Sequence, residues 1–405
     1  MMRFEEFFVR DGRFVADGVA LDEIAKYPTP LYIYSASAIR TKYRLLKDQF
    51  RAFDICYSLK ANPNPAVCGV LVHAGAGAEV SSPAELATAL AAGFARDSIL
   101  YVAPAKTPTD IERVLKSGIH AIVADSAQEL EIIEQQAARL GRPTRVLLRI
   151  NTMEQQPEAK EVMVGGPSKF GFDEERVAAE VSGVKIEHAR IGGIQVYSAS
   201  QVLDRVWLAT HIEYVFNLAR KLSRDMGFKL ESVDFGGGFG VPMNDREAEL
   251  DLAGLAEAAA GPLAGFRADY PGCRLFFESG RFLAAEAGVF VTRVVRVKES
   301  RGRVFAICDG GMNAFSRPAF MRIKHPARLL NRLGEPATAR VDVCGPICTP
   351  LDSIARDAHL PTPKAGDFVG LLNAGAYGYT MSLLDFMSRG RPAELMADAG
   401  ELYKA

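Results

Sequence analysis

Between residues 53 and 280, short apolar runs alternate with stretches whose apolar positions recur at helical spacing. The runs are "FDICYSLK", "GAEV", "ILYVA", "HAIVAD", "RVLLRIN", "GGIQVY", "ESVDF" and "RLFFE". They are short, apolar and bounded by turn residues, which predicts strands. Stretches such as "SPAELATALAAGF" and "SAQELEIIEQQAARLG" predict amphipathic helices between them. Eight strands, each followed by a helix, predict the α/β class and a (β/α)8 TIM barrel over residues 35–285. After residue 285 the pattern changes. "VFVTRVVRVKES", "RVFAICDGG", "ARVDVCG" and "GDFVGLLNAG" alternate without long helices and predict a C-terminal antiparallel β-domain over 286–405. Residues 1–34 are also strand-like, ending near "YPTPLYIYS", and are expected to join that second domain.

Composition narrows the function classes. The 405 residues carry 48 Lys plus Arg against 49 Asp plus Glu, so no basic balance points to nucleic acid. No apolar run approaches the ~18–20 residues of a membrane span, and the N-terminus lacks a signal-peptide core. Six scattered cysteines read as reduced thiols, so a cytoplasmic protein is expected.

The candidate chemistry sits where strands end. "YSLKANPNPAV" brings Lys60 to the end of an apolar run and then breaks the backbone with Asn and two prolines. A lysine staged this way suits a Schiff-base role, partly neutral and deprotonated by its surroundings. For a lone lysine, a salt bridge at a strand end is the better explanation. Other predicted strand ends deliver Glu79, Arg149 with Asn151, Tyr197, the glycines from 236, and Glu278. Barrel enzymes build their sites at that face. "DFGGGFGVP" leaves backbone N–H groups open to an anionic oxygen, though a tight turn explains three glycines equally well. "FFESGRF" places Glu278 after three apolar residues with Arg281 nearby. Its partner is either Arg281 or a protonated pyridine nitrogen. "VCGPICTPLD" makes a rigid turn carrying Cys348, a proton donor or an inert thiol. "NAGAYGYTMS" offers Tyr377 between small residues, beside a ligand or in a core. Each signal is weak alone. Together they describe a site for pyridoxal 5'-phosphate.

With these residues in view, the chain resembles the fold-type III pyridoxal-phosphate-dependent decarboxylases, the group of diaminopimelate, ornithine and arginine decarboxylases. "YSLKAN", "GGGFG", "ESGR", "GMNAFSRPA", "CGPIC" and "GAYG" carry the resemblance in order, nearly end to end. It implies a barrel plus β-domain in a homodimer with shared active sites. Lys60 would hold the cofactor as a Schiff base. Gly236, Gly237 and Gly238 would bind its phosphate with Tyr377, and Glu278 would keep the ring nitrogen protonated. Glu79, Tyr197, Ser200, Gly280 and Arg281 would complete the cofactor site. Arg281, Arg317, Thr349, Asp352 and Tyr377 would face the substrate, while Cys348 would come from the other subunit to manage the α-carbon proton.

Three departures from the resemblance bear on the substrate. The diaminopimelate enzymes read Cys-Glu-Ser where this chain has Cys348-Thr349-Pro350, which removes a counter-charge to a distal ammonium. Met321 replaces a tyrosine that helps hold a distal carboxylate. Tyr197 replaces the usual histidine on the cofactor and can stack in its place. "CTPLD" and "VMVGGPSKFGF" are similar to a divergent branch acting on tethered amino-acid units, on a carrier-protein thioester or a citrate-derived siderophore intermediate. A conjugate is therefore expected slightly ahead of free meso-diaminopimelate, which Arg317 keeps open. An alanine racemase would need an arginine in place of Glu278, and a non-catalytic cofactor carrier would lack the β-domain.

Overall fold

A computed structural model describes residues 4–153, 161–162, 165–244 and 246–405. The expected barrel is present. Its strands are β1 (Asp54–Ser58), β2 (Gly77–Val80), β3 (Ile99–Tyr101), β4 (Ala121–Ala124), β5 (Thr144–Asn151), β6 (Ala189–Val196), β7 (Ser232–Asp234) and β8 (Arg274–Ser279). Neighbours pair in parallel all the way round, and β8 closes onto β1 with Glu278 opposite Cys56. Because alternate residues point inward, a separate apolar cluster fills the lumen: Cys56, Leu100, Val102, Ala121, Val123, Leu147 and Phe276. The outer helices begin where the sequence supplies an acceptor. Ser82 and Ser126 accept from the Glu85 and Glu129 amides at 3.1 and 3.2 Å, and Thr107 with Asp110 forms a capping box.

Beyond the barrel a sheet builds around β9 (Gly288–Ser300). It pairs antiparallel with Leu31–Ser35, Phe368–Leu371 and Arg303–Cys308. The sheet is mixed rather than wholly antiparallel as expected. Leu31–Ser35 runs parallel to Ala393–Asp398, and Arg303–Cys308 runs parallel to Ala339–Cys344. Neither parallel pair is consecutive in the chain, so no hairpin dictates its direction. Residues 9–20 form a small meander of their own. At the junction of barrel and sheet, Lys42 meets Glu286 at 2.5 Å with both side chains almost free of solvent. Its ammonium also lies 3.9 Å from the Phe282 ring centroid. Such a pair is costly to break from one side, by about 3–5 kcal/mol. Among the described residues, no helix is long and apolar enough to cross a membrane.

The opposite, N-terminal end of the barrel is closed by a buried histidine. His120 Nδ1 accepts from the Arg145 and Arg274 guanidiniums, both at 3.1 Å. Its Nε2–H therefore donates to Ser232 Oγ at 2.9 Å. Arg274 reaches on to Asp54, and Arg145 to Glu231, so one imidazole links β1, β4, β5, β7 and β8. Burial and the two cations push its pKa down to about 3. An unfolded histidine takes up a proton near pH 6.5, whereas the folded one does so only near pH 3. This contribution to stability is therefore present above pH 6.5 and is lost as the pH falls, by about 1.4 kcal/mol per pH unit. His120→Asn should reduce the acid dependence of the urea midpoint between pH 6.5 and 4.5 by the linkage of about one proton. An unchanged slope would refute the neutral imidazole.

Candidate active site

β1 ends at Ser58, and Lys60 sits on the single 3-10 turn that follows, Leu59–Ala61. The broken backbone after it has two uses. Asn64 caps the helix Pro65–Ala74 by accepting from the Ala66 amide at 2.9 Å. Asn62 donates to the Gly375 carbonyl at 3.1 Å, and the Tyr377 amide donates to the Ala61 carbonyl at 2.7 Å. The loop 373–380 of the β-domain is thus fastened to the lysine turn. Tyr377 adopts φ 61°, a left-handed conformation that a bulky residue holds only when its surroundings enforce it.

Lys60 Nζ donates to Glu79 Oε2 at 2.5 Å. Glu79, on β2, is fully buried, and it also accepts from Ser58 and, at 2.7 Å, from Ser81. Burial disfavours the ammonium, but the nearby Glu79 and Glu278 carboxyl groups and Tyr377 outweigh it, so the lysine is held above its ordinary pKa. The expectation of an amine deprotonated by its surroundings therefore does not hold: the protein's own groups keep Lys60 an ammonium.

Across the lumen, β7 runs into the glycine loop. A Cβ at Gly237 would lie 2.0 Å from the Glu278 carbonyl, and one at Gly236 would lie 2.5 Å from the Val196 carbonyl. Gly236 and Gly238 have φ 61° and 101°, so these positions need glycine twice over. Tyr197, at the end of β6, packs its ring on Gly236 and lies within hydrogen-bonding reach of Ser200. Burial raises its phenol pKa. Gly280 lets the chain pass Ala61, where a Cβ would come within 2.7 Å of the alanine Cβ. Lys60, Tyr197, Ser200, Gly237, Gly238, Glu278, Gly280, Arg281 and Tyr377 line one narrow cleft at the barrel mouth, with Gly236 and Glu79 directly behind it. Both Arg281 and the buried Arg317 lie against the Tyr377 ring, 5.0 and 5.4 Å from its centroid.

Glu278 is 5% exposed, and its Oε1 has no hydrogen-bond partner. The internal pair with Arg281 is absent; that guanidinium turns to Tyr377 instead. Burial and the neighbouring Asp234 raise the Glu278 pKa well above the carboxylate range. A cleft with a lysine at one wall, a glycine cradle, a basic side chain, and an orphaned buried carboxyl at its floor fits pyridoxal phosphate. The cradle and Arg281 suit the phosphate, and the orphaned carboxyl suits the ring nitrogen.

Other candidates lie apart from this cleft within the chain. Cys348 is exposed, its Sγ 3.6 Å from Met387 Sδ. Thr349 is engaged in its own turn, taking the Leu351 amide at 3.3 Å. Asp352 accepts from the Met312 and Ile347 amides, both at 2.6 Å, which makes it the organiser of the 345–352 turn. Arg149 stacks on Phe170 and pairs with Asp125 at 3.7 Å, and Asn151 bonds Asp173 at 2.8 Å. Two participants escaped sequence reasoning: Ser58 and Asp234, the latter hidden at the start of a motif read for its glycines. The signal available was inward parity, since Asp234 lies opposite Gln195 on β6. A wider cavity of about 960 Å³, beside Arg322 and Arg356, holds none of the predicted residues. Among the described residues, no cluster of His, Cys, Asp and Glu could hold a metal ion.

Residues 36–285, essentially the barrel, match the family described as "Pyridoxal-dependent decarboxylase, pyridoxal binding domain". The chain is 34% identical to the L-glutamyl-[BtrI acyl-carrier protein] decarboxylase of Niallia circulans, over 93% of this chain and 90% of that protein. It is 32% identical to the diaminopimelate decarboxylase of Aquifex aeolicus, over 97% and 92%. Diaminopimelate decarboxylase from M. jannaschii in co-complex with L-lysine superposes with a TM-score of 0.92 at 28% identity, covering all of this chain and 95% of that one. The chain belongs to the pyridoxal-dependent decarboxylases, and its cofactor is pyridoxal phosphate.

Proposed function

We propose that this enzyme removes the α-carboxylate from an amino-acid unit joined to a larger carrier, with a carrier-protein thioester as the substrate class. The observation that carries the reading is the uncharged 348–351 turn. Thr349 there has no carboxylate to face a distal ammonium and spends its hydroxyl on its own backbone. Similarity to a decarboxylase named for an acyl-carrier-protein substrate points the same way. Free meso-diaminopimelate is the second reading, favoured by the buried Arg317 beside Tyr377 and by the diaminopimelate decarboxylases among the relatives.

The net change replaces the carboxylate by hydrogen and releases carbon dioxide. Pyridoxal phosphate, when bound, supplies a cationic ring that accepts the electron pair left by the departing carboxylate. The remaining work falls to the chain. Lys60 would be the residue that holds the cofactor, and Glu79, which accepts from its Nζ at 2.5 Å, would take and return the amine's proton. Glu278 would keep the ring nitrogen protonated, Tyr197 would offer an aromatic face to the ring, and Gly236–Gly238 with Arg281 would hold the phosphate. The proton that replaces the carboxylate comes from Cys348 of the partner subunit. Cys348 is exposed in its own chain, and Leu351, Met381, Leu383, Phe386 and Met387 are exposed apolar side chains on the same or neighbouring loops, a face suited to a second copy.

Two tests follow. Lys60→Ala and Cys348→Ala should each nearly abolish turnover, and mixing them should restore up to about a quarter of wild-type activity through dimers with one intact site. Absence of recovery under subunit exchange would refute the shared site. Carbon dioxide release from an L-glutamyl carrier-protein thioester should exceed that from free meso-diaminopimelate by at least about tenfold in kcat/KM, and Thr349→Glu should narrow the gap. The reverse preference would establish the second reading.

A further inference from the structure

Asp234 and Glu278 stand at the mouth ends of the adjacent strands β7 and β8, both facing the lumen. Asp234 is fully buried and Glu278 nearly so. Asp234 Oδ1 accepts from the Gly236 amide at 2.9 Å, while Asp234 Oδ2 and Glu278 Oε1 have no donor. The two carboxyl groups lie within hydrogen-bonding reach of each other. Around them are Lys60 from the turn after β1, the Cys56 thiol of β1, Glu79 of β2 and the neutral Gln195 of β6. The Lys60 ammonium rests on Glu79. Gln195 is completely buried, and both its side-chain polar atoms are without partners. Two facing acceptors with no donor between them would each carry the cost of lost hydration. A single proton held between them is the donor that both oxygens lack.

We propose that Asp234 is a positioning residue that shares one proton with Glu278, fixing the Glu278 carboxyl in place and holding the pair at constant net charge in the cofactor site. The inference rests on the reading above of Glu278 as partner of the ring nitrogen. When Glu278 is un-ionised, its O–H donates to Asp234. When Glu278 is ionised against a cationic ring, the proton sits on Asp234 and donates back. The pair keeps one proton and one negative charge in both states. Burial acts in this direction, raising the Asp234 pKa to about 7 even though the hydrogen bond with Glu278 lowers it, while burial and the Asp234 charge raise that of Glu278 well above the carboxylate range.

The test compares Asp234→Asn, Asp234→Leu and Glu278→Ala in the full-length protein. Pyridoxal phosphate affinity, the pH midpoint of the bound cofactor's visible band, and far-ultraviolet circular dichroism are measured. An asparagine at 234 can still donate to Glu278 and accept from the Gly236 amide. Asp234→Asn should therefore hold affinity within about threefold, while Asp234→Leu should lose about tenfold or more and move the band midpoint by about one pH unit. A folded Asp234→Asn protein that loses affinity as severely as the leucine variant overturns the proposal, as does a leucine variant that behaves like wild type. Should the leucine variant misfold, the asparagine variant still decides: retained affinity and midpoint support the shared proton, and their loss refutes it. If Glu278→Ala leaves affinity and band untouched, the ring-nitrogen assignment itself fails, whatever the Asp234 variants do.

Discussion

The register of a closed parallel barrel governs this molecule. Because side chains alternate with a period of two, a one-residue slip in any strand would turn its functional residue into the outer layer. Ser58 lies opposite Glu79, Gln195 opposite Asp234, and Glu278 opposite Cys56. Lower in the lumen the same inward positions carry Leu100, Val123, Leu147 and Phe276, whose packing fixes the register. An apolar floor thus aligns a polar mouth. The base is pinned independently by His120 between Arg145 and Arg274, so the strands are tied at the end away from the chemistry.

The mouth is electrostatically lopsided. Glu79, Asp234 and Glu278 are buried around one ammonium, Lys60, whose pair with Glu79 leaves the other two acids facing each other. Burying carboxyl groups without donors is among the costliest arrangements a fold can make. It persists where a cationic partner or a retained proton completes it, so the imbalance itself points to a ligand with a basic nitrogen. This argument does not depend on any motif. It converges on the same cofactor as the glycine cradle, in which Gly237 tolerates no side chain beside the Glu278 carbonyl.

How much of this was legible in the chain follows from range. The barrel could be read because each strand and helix announces itself locally, in runs such as "RVLLRIN" and in the helical spacing of residues 126–141. The strand-end position of Lys60, Glu79 and Glu278 could be read for the same reason. Properties that depend on neighbours across the lumen could not. The charge of Lys60 is set by Glu79, nineteen positions away along the chain but 2.5 Å away in space, and it came out opposite to expectation. Asp234 meets Gln195 and Glu278 only across strands, and nothing within its own motif marks it. Asp352 is expected from the resemblance to face the substrate, yet its two oxygens serve backbone amides, one of Met312 and the other of Ile347 in its own turn. The parallel pairing of Leu31–Ser35 with Ala393–Asp398 joins segments about 360 residues apart, beyond any local pattern.

The two domains contribute differently around the cleft. The β-domain sends loop 373–380 onto the barrel's lysine turn, anchored by Tyr377 and Gly375 through backbone bonds. It sends the 345–352 turn elsewhere, with Asp352 shaping it and Cys348 left at the surface. A thiol meant only to fill a core would sit with Cys56, Cys68, Cys273 and Cys308, all of which are buried and hold their pKa values raised by that burial. Cys348 instead stands exposed on a turn braced by the buried Asp352, beside exposed apolar side chains such as Leu351 and Met387. Under the proposed shared site, a second copy would present the same open mouth, with Lys60 at its rim, to that thiol. The chemistry at the α-carbon would then require assembly, and cofactor capture by a lone chain would not suffice for turnover.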